Sequence, residues 1–317
     1  MEKKNEMRFG FAKDELILRR GELIVIGGRP DSGKSSLVLN MFKECINDSA
    51  KSYLYVHNEQ KKMTTSKLQK IMGDNFTEAY NESLLSSEDF ETFIDVSYVT
   101  KNWEFEMFIE ANNIGTKNDE SVLFENDGSV YKFLRGMLLK RIIERKVDIL
   151  FIDGFTGVLN VLENNKIKKV SPREAGDLLK RLAVVFDITI VVTCWLDHWV
   201  DKRVGNFPQM GDLGEFSSLE FDADQLWLLY RGEYYQGLKH KESAKRAKEE
   251  GREYRSNYFV KPQEEIIVSV IKNKNGQTIE AITNFYPKTM VFKYVEPVIM
   301  HGLNERPKEA KISMPPL

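Results

Sequence analysis

An α/β fold with a mostly parallel, doubly wound sheet, helices on both faces and a C-terminal β-hairpin is predicted by three features of the sequence. Short apolar runs alternate with segments of helical periodicity. One run leads into a glycine-rich turn, and the last two runs flank Asn275-Gly276. Alternating strands and helices are typical of a parallel sheet covered on both faces. Asn-Gly between two strands predicts a hairpin.

The first strand, Glu22–Gly27, is followed by Gly28–Ser35, which reads GRPDSGKS and is a complete GxxxxGK[ST] phosphate loop. Its glycines let successive backbone N–H groups turn toward phosphate oxygens, and the helix that follows directs its positive end at the same anion. The alternative is a glycine-rich turn without a ligand. We therefore predict a nucleotide site formed by Gly28, Arg29, Pro30, Asp31, Ser32, Gly33, Lys34, Ser35 and Ser36.

Two side chains of this loop have specific predicted tasks. Lys34 places a positive charge on the β and γ phosphates, and the hydroxyl of Ser35 is a ligand for Mg²⁺. The nucleotide is thus expected to bind with a magnesium ion.

Further strands and helices follow in alternation. Residues 171–174 read Ser-Pro-Arg-Glu, a capping box with proline at the first helical position, and predict the start of a helix. A helix is also predicted over 131–146 from its apolar period. The remaining predicted strands are Ser52–His57, Asp148–Asp153, Ile188–Thr193, Asp224–Tyr230, Ile266–Ile271 and Ile279–Phe285.

Two acidic residues follow or end predicted strands, where ligands bind in open parallel sheets. Asp153 ends an apolar strand, as an aspartate that holds Mg²⁺ beside the phosphates would, and its alternative is a turn residue. Glu59 follows the strand after the phosphate loop and is the candidate general base for the attacking water. Its alternative is a solvated loop carboxylate.

Composition is typical of a cytoplasmic enzyme. The chain has 317 residues, of which 42% are apolar and 30% charged, and a formal net charge of −2. Any contact with nucleic acid must therefore come from local basic loops. Cys45 and Cys194 are predicted to be buried, reduced thiols. No apolar run approaches the length of a membrane span, and no export signal is recognisable, so we expect a cytoplasmic protein with no membrane association.

Ordered motifs from about Leu16 to Phe292 resemble the RecA-like motor domain of DnaB-type replicative helicases, including their phage relatives. The phosphate-loop segment with its internal Arg-Pro pair is similar to that of the family. Further matching segments are His57-Asn-Glu-Gln60, Phe207–Leu213, Leu219–Asp224, Arg231–Tyr235 and Lys272–Gly276.

The resemblance implies how such a motor works. ATP with Mg²⁺ binds between the subunits of a homo-oligomer, a hexameric ring, that encircles single-stranded DNA. It implies that Lys272 and Lys274 act in trans on the γ-phosphate held by the neighbouring subunit, that Arg231 belongs to the nucleotide site, and that Glu59 is the base. It leaves open a primase or a loader as further partners.

For DNA, the resemblance implies that loops around 199–203 and 212–218 line the channel, with Lys202, Arg203 and Glu215 as contact residues. The alternative for each of the first two is an ordinary surface residue. For the two hairpin lysines the alternative is a solvated hairpin tip.

The sequence departs from the family pattern at three positions. Lys274 stands where an arginine finger is usual and lacks its planar fork. Trp195 stands where a residue that senses the γ-phosphate is expected, and Gly214 replaces an arginine that contacts DNA. We therefore keep two functions open: a DNA helicase of a phage, plasmid or other mobile element, and a RecA-like ATPase in recombination, loading or regulation that does not unwind. A small-molecule kinase is a weaker third.

The predicted organisation is a short N-terminal extension at 1–15, one motor domain at 16–295 and a mobile C-terminal tail at 296–317. Two insertions are expected within the motor domain. The first covers about 60–128, and the second, at 236–256, is rich in basic residues and has helical propensity.

Overall fold

The computed structural model describes residues 6–12, 16–47, 52–57, 61–73, 93–97, 147–156, 171–254 and 261–299. In these residues the strands are β1 Glu6–Arg8, β2 Ile17–Arg19, β3 Leu23–Gly28, β4 Ser52–His57, β5 Phe93–Ser97, β6 Ile149–Asp153, β7 Thr189–Trp195, β8 Gln225–Arg231, β9 Glu264–Asn273, β10 Ile279–Tyr286 and β11 Val291–Ile299. The α-helices are α1 Lys34–Asn47, α2 Lys61–Met72, α3 Pro172–Phe186, α4 Ser218–Asp222 and α5 Gly232–Glu249.

In the described part of the chain, nine strands form the main sheet, in the order β11-β10-β9-β8-β3-β7-β6-β4-β5. From β8 to β5 all neighbouring strands are parallel. From β8 to β11 they are antiparallel. The predicted mostly parallel sheet and the C-terminal hairpin are confirmed, and the carboxyl ends of β3, β6 and β7 lie at one edge.

Helices cover both faces of the sheet, as predicted. Alternate residues of β3 point to opposite faces because side chains in a strand alternate. Leu23 and Val25 belong to the core cluster that contains the buried residues of α3. Ile24 and Ile26 belong to the cluster that contains buried residues of α1. The strand that leads into the phosphate loop is therefore buried on both sides.

The start of α3 confirms the predicted capping box. The Ser171 hydroxyl accepts a hydrogen bond from the Glu174 N–H at 3.2 Å. The Glu174 carboxylate accepts one from the Ser171 N–H at 3.1 Å. Pro172 occupies the first turn, where its missing N–H costs nothing.

The chain ends of the predicted motor domain need one correction. Strand β11 pairs with β10 as far as Ile279 opposite Ile299, so residues 296–299 belong to the sheet and not to a tail. Pro297 has no backbone N–H to donate. It is tolerated there because β11 is the edge strand, which has a neighbouring strand on one side only. At the other end, Phe9 and Phe11 of the predicted extension are buried in the core.

Other predictions fall partly outside the described residues. The helix predicted over 131–146 and residues 300–317 of the predicted tail lie there entirely, and only 61–73 and 93–97 of the first insertion are described. The second insertion begins within α5, which ends at Glu249. Cys45 and Cys194 are both buried, and neither forms a disulfide with a described residue. Among the described helices, none has the length and apolar character that a membrane crossing requires.

Candidate functional site

The phosphate loop connects the end of β3 to the start of α1. Gly33 has φ +101°, a backbone conformation that side chains with a Cβ rarely adopt, and its carbonyl accepts the Leu37 N–H at 2.8 Å. Asp31 also has positive φ, at 57°, which aspartate tolerates better than most residues. The helix thus begins inside the loop, with its first N–H groups directed at the space above it.

The interior of this loop is a cradle with room for backbone but not for side chains. A Cβ at Gly28 would lie 2.3 Å from the Ser32 hydroxyl oxygen and 3.1 Å from Lys34 Cγ, so any larger residue must displace these side chains. The Ser32 hydroxyl is buried and has no hydrogen-bond partner in the described residues. A buried donor without a partner is costly, and a phosphate oxygen would satisfy it. The cradle therefore fits the phosphate group that the sequence predicts.

Lys34 is folded over the loop. Its ammonium donates to the carbonyls of Gly28 at 2.7 Å and Arg29 at 2.8 Å. Burial lowers the pKa of Lys34 to about 8, against the opposing influence of Asp153. The charge is held in place by backbone oxygens, which phosphate oxygens can replace.

Asp153 ends β6 beside the loop and is held by a residue of the next strand. The Thr193 hydroxyl donates to Asp153 Oδ1 at 2.7 Å and accepts the Gly154 N–H at 2.8 Å. These two hydrogen bonds fix the orientation of the Asp153 carboxylate, and Asp153 is itself buried. The hydroxyl of Ser35 and the carboxylate of Asp153 are oxygen ligands of the kind that Mg²⁺ prefers.

Glu59, the predicted base, lies outside the described residues. Strand β4 ends two residues before it, at His57, and is the immediate neighbour of β6. Val56 is the register partner of Asp153. The end of β4, two residues before Glu59 in the sequence, therefore lies at the same edge of the sheet as Asp153.

Two arginines, one within the loop and one outside it, hold the loop through contacts with other protein groups. Arg29 donates to Asp201 through Nε at 3.0 Å and Nη2 at 2.7 Å, and through Nη1 to the Leu196 carbonyl at 2.7 Å. Arg231 donates to the Asp31 carbonyl at 2.6 Å and to Glu264 at 2.6 Å. Both predicted nucleotide residues thus lie at the loop, but their guanidinium groups are engaged with the protein.

The position expected to sense the γ-phosphate is occupied by Trp195. It is the register partner of Gly28, and its side chain is about half exposed at the end of β7. The adjacent Leu196 N–H donates to the Gly28 carbonyl at 3.3 Å. Trp195 thus lies beside the loop by its backbone register, and its indole cannot accept a hydrogen bond.

The two loops predicted to contact DNA are joined to each other. The Asp197 N–H donates to the Asp212 carbonyl at 2.7 Å. Arg203 donates to both oxygens of Asp212, each at 2.7 Å, and this pairing raises the pKa of Arg203. The Arg203 guanidinium thus holds the two loops together, and its role as a DNA contact stays a prediction.

Other predicted DNA residues of this face remain exposed. Lys202 lies on the 3-10 helix His198–Lys202, with its ammonium 4.1 Å from the centre of the Trp199 ring. Glu215 lies on the 3-10 helix Gly214–Phe216. Gly214 has φ +59°, and a Cβ there would lie 3.1 Å from Asp197 Oδ2. The backbone is thus built for glycine where the family pattern has arginine.

The two hairpin lysines lie at the opposite end of β3 from the phosphate loop. Lys274 Nζ is 3.2 Å from Asp224, whose other oxygen accepts the Leu23 N–H at 2.8 Å. Lys272 donates to the carbonyls of Glu220 and Phe221. Since β3 separates Leu23 from Gly28 by about 17 Å at 3.3 Å per residue, these amines cannot reach the phosphate loop of their own chain.

Two residues of the site were missed in the sequence. Thr193 is one of two threonines in a mostly apolar strand and lies near its carboxyl end, and that placement was an available signal. Asp201 carried no signal, because its partner Arg29 is far away in the sequence and only the fold brings the two together.

Comparison with known proteins agrees with the motif analysis. The family model of the DnaB-like helicase C terminal domain matches residues 13–294. The replicative DNA helicase DnaB of Helicobacter pylori (strain J99) is 24% identical over 319 residues, which cover 93% of this chain and 60% of the relative. A probable plasmid replicative DNA helicase of Chlamydia psittaci is 25% identical over 226 residues, covering 69% of this chain and 44% of the relative. The chain thus spans less than two thirds of the length of these relatives.

Two solved structures share the fold. One, a structure of an ATPase domain, superimposes with a TM-score of 0.52 at 17% identity, covering 87% of this chain and 86% of that one. A DnaB-like replicative helicase, described with its interactions with primase, gives a TM-score of 0.51 at 18% identity, covering 87% of this chain and 59% of the other. The predicted RecA-like fold is confirmed.

Proposed function

Since the chain belongs to the DnaB-like helicase C-terminal domain family, we propose that it is the ATP-driven motor of a replicative DNA helicase. The observation that carries this proposal is the phosphate cradle, in which Lys34 and the buried Ser32 hydroxyl lie beside the strand that ends in Asp153. The plasmid relative favours a mobile element as the source of the chain.

In this proposal the loop grips the triphosphate of ATP. The backbone N–H groups at the start of α1 and the Ser32 hydroxyl donate to phosphate oxygens, and Lys34 exchanges its two carbonyl partners for the β and γ phosphates. Ser35 and Asp153 hold Mg²⁺, and Thr193 keeps the Asp153 carboxylate in orientation. Magnesium, when bound, supplies positive charge that neutralises the β and γ oxygens.

Hydrolysis requires a base and a positive charge on the opposite side of the γ-phosphate. We assign the base to Glu59. Lys272 and Lys274 supply the charge to the site of the adjacent subunit of a hexameric ring, and their distance from their own phosphate loop favours this assignment. Lys274 must exchange its contact with Asp224 for the phosphate, because the ion pair occupies its ammonium.

Single-stranded DNA passes along the face that carries Lys202 and Glu215. Arg29 connects this face to the phosphate loop through Asp201, and Arg203 connects its two loops through Asp212. A change in the phosphate loop therefore has a direct path to the DNA face. A primase or a loader is a further proposed partner, in line with the relative described with primase.

The proposal is tested by ATP turnover with and without single-stranded DNA, together with unwinding of a forked duplex. We expect turnover that DNA stimulates and unwinding that requires ATP. Lys34→Ala should lower turnover by at least about 100-fold, because the charge on the phosphates is lost. Lys245→Ala, which removes an exposed lysine of α5, is the control and should behave as the wild type.

The in-trans assignment has its own test in mixed subunits. Lys274→Ala and Glu59→Gln should each be inactive alone, and a mixture should recover part of the turnover, since some interfaces then combine an intact base with an intact finger. A mixture as inactive as its components contradicts action in trans.

In the unwinding assay, ATP turnover without unwinding of the forked duplex would favour the alternative function, a RecA-like ATPase in recombination, loading or regulation.

A further inference from the structure

An exposed aromatic side chain with a cation beside it stands out on the face assigned to DNA. Trp199 is 60% exposed, although tryptophan is usually among the more buried residues. The Lys202 ammonium lies 4.1 Å from the centre of its ring, and the His198 ring lies against it at 4.9 Å between centroids. Such exposure of an indole needs a reason beyond packing.

The turn that presents this indole is firmly anchored, so the exposure is imposed by the fold. Val200, the next residue, is fully buried. The Asp197 side chain accepts the Trp199 N–H at 3.0 Å. The Asn206 side chain donates to the Val200 carbonyl at 3.2 Å and to the Asp201 carbonyl at 2.8 Å. The backbone of Trp199 is thus held on both sides while its ring faces solvent.

Lys202 is the charged residue whose ammonium lies beside the Trp199 ring. Lys202 forms no ion pair with any described residue. Two acidic groups of the same face are paired with arginines, Asp201 with Arg29 and Asp212 with Arg203, and an Asp197 carboxylate oxygen lies 2.9 Å from Nδ1 of the His198 ring. A ligand at this point of the face meets an aromatic ring and a positive charge, and Glu215 is an exposed carboxylate of the same face.

Other exposed apolar side chains of the face lack this combination. Phe207 is stacked on Tyr230 with 4.2 Å between ring centroids, so one of its faces is covered. Val204 is 98% exposed but has no ring. Trp199 therefore differs from its exposed neighbours in offering a ring next to an ammonium.

We propose that Trp199 and Lys202 form a stacking site for one base of single-stranded DNA, with the indole against the base and the ammonium on an adjoining phosphate. Aromatic rings bind unpaired bases by stacking, and lysine binds the backbone by charge. Bases in a duplex are already stacked on each other, so the site selects single strands. The stacking site supplies a DNA contact on the face where this chain has Gly214 in place of the arginine of the family pattern.

This inference rests on the proposed function, because it assumes that the strand runs along this face. The test measures binding of two fluorescent oligonucleotides of equal length, one of deoxythymidine and one without bases, by anisotropy with Mg²⁺ and a non-hydrolysable ATP analogue. Wild-type protein should bind the thymidine strand more tightly. Trp199→Ala should weaken binding of that strand by about tenfold and leave the abasic strand unaffected.

Variants separate the two parts of the site. Trp199→Phe should retain most of the affinity, since a smaller ring still stacks. Lys202→Ala should weaken binding of both strands alike and lower the slope of affinity against salt by about 1. Val204→Ser, which removes exposed apolar surface from the same loop, is the matched control and should bind as the wild type.

The outcomes distinguish failure of the site from failure of the function. Wild-type protein that binds neither strand overturns the proposed function and the stacking site with it. Equal binding of both strands by wild type, or equal losses on both strands in Trp199→Ala, overturns the stacking site alone. Loss of the oligomer in Trp199→Ala, measured by mass photometry, would place the indole between subunits and also overturn it.

Discussion

The phosphate loop and the face assigned to DNA lie next to each other, yet they are built in opposite ways. The loop has a buried interior, a Ser32 hydroxyl that no described residue satisfies and a lysine held by backbone oxygens. On the neighbouring face, the Arg203 guanidinium is consumed by an internal ion pair, and Trp199 is exposed. The first region is suited to an anion, whereas the second offers an aromatic ring with a lysine beside it.

This difference shows that sequence motifs predict the residues of the phosphate site more reliably than those that contact DNA. Phosphate binding depends on backbone N–H groups that converge in one tight loop conformation. Few residue types can adopt that conformation, so the sequence of the loop is restricted. Contact with a flexible strand can be made by charge or by stacking, so several side chains can serve. We expect disruption of the loop to be severe and changes on the DNA face to be graded.

A methyl group in the cradle is expected to have a large effect, of the same order as the loss of the Lys34 charge. Gly28→Ala places a Cβ 2.3 Å from the Ser32 hydroxyl oxygen and 3.1 Å from Lys34 Cγ, and it displaces these two side chains from the positions in which they would bind phosphate. A displacement of about 1 Å at a reacting centre can cost about 100-fold in rate, and we expect a loss of ATP turnover of that order. Gly10→Ala is the control, because its nearest side-chain atom would be 3.8 Å away. Wild-type turnover in Gly28→Ala would contradict a tight cradle.

A smaller effect is expected when the support of Asp153 is removed. Thr193→Val keeps the shape of the side chain but loses the donor to the Asp153 carboxylate. Residues that orient a metal ligand typically change activity or metal affinity by about tenfold or more. We expect turnover to fall about tenfold and to need more Mg²⁺.

Thr189→Val is a matched control for this change. It lies at the other end of the same strand, and its hydroxyl donates to the Arg19 carbonyl at 2.8 Å. It should cost comparable stability without a change in the Mg²⁺ requirement. If the two variants show the same Mg²⁺ dependence, Thr193 does not position the metal ligand.

The link between the two regions is tested at Asp201. Asp201→Ala removes the carboxylate that receives two donors of Arg29. We expect stimulation of turnover by single-stranded DNA to fall about fivefold, the lower end of typical coupling between sites, while turnover without DNA stays within about twofold. Asp177→Ala, which removes an exposed ion pair on α3, is the control. Unchanged stimulation would show that the two regions communicate by another route.

The mildest effect concerns pH. Burial lowers the pKa of Lys34 to about 8, so the free protein loses this charge as the pH rises through that value. Phosphates beside Lys34 favour its charged form, so binding above about pH 8 takes up a proton and weakens as the pH rises. Below that value Lys34 is charged in both states and adds no pH dependence.

We expect the affinity for ATP to fall about threefold between about pH 7.5 and 8.5 from this group. Titration calorimetry at pH 9 in two buffers of different ionisation enthalpy measures the proton directly. Equal heats in both buffers would show that Lys34 keeps its charge when nucleotide is absent.

The sequence by itself determined the fold class, the position of the phosphate loop, the Ser171 capping box and the hairpin, because each depends on local spacing that neighbouring residues define. It also placed Asp153 at the end of a strand beside the loop. These features follow from periodicity and from the conformations that glycine and proline permit.

Only the tertiary structure decided how side chains distant in sequence are paired. In the fold, Arg29 forms an ion pair with Asp201, Arg203 forms one with Asp212, and the Thr193 hydroxyl donates a hydrogen bond to Asp153. The fold also leaves Trp199 exposed beside Lys202. A residue type specifies what a side chain can bind, but the partner it does bind depends on which strands and loops the sheet brings together.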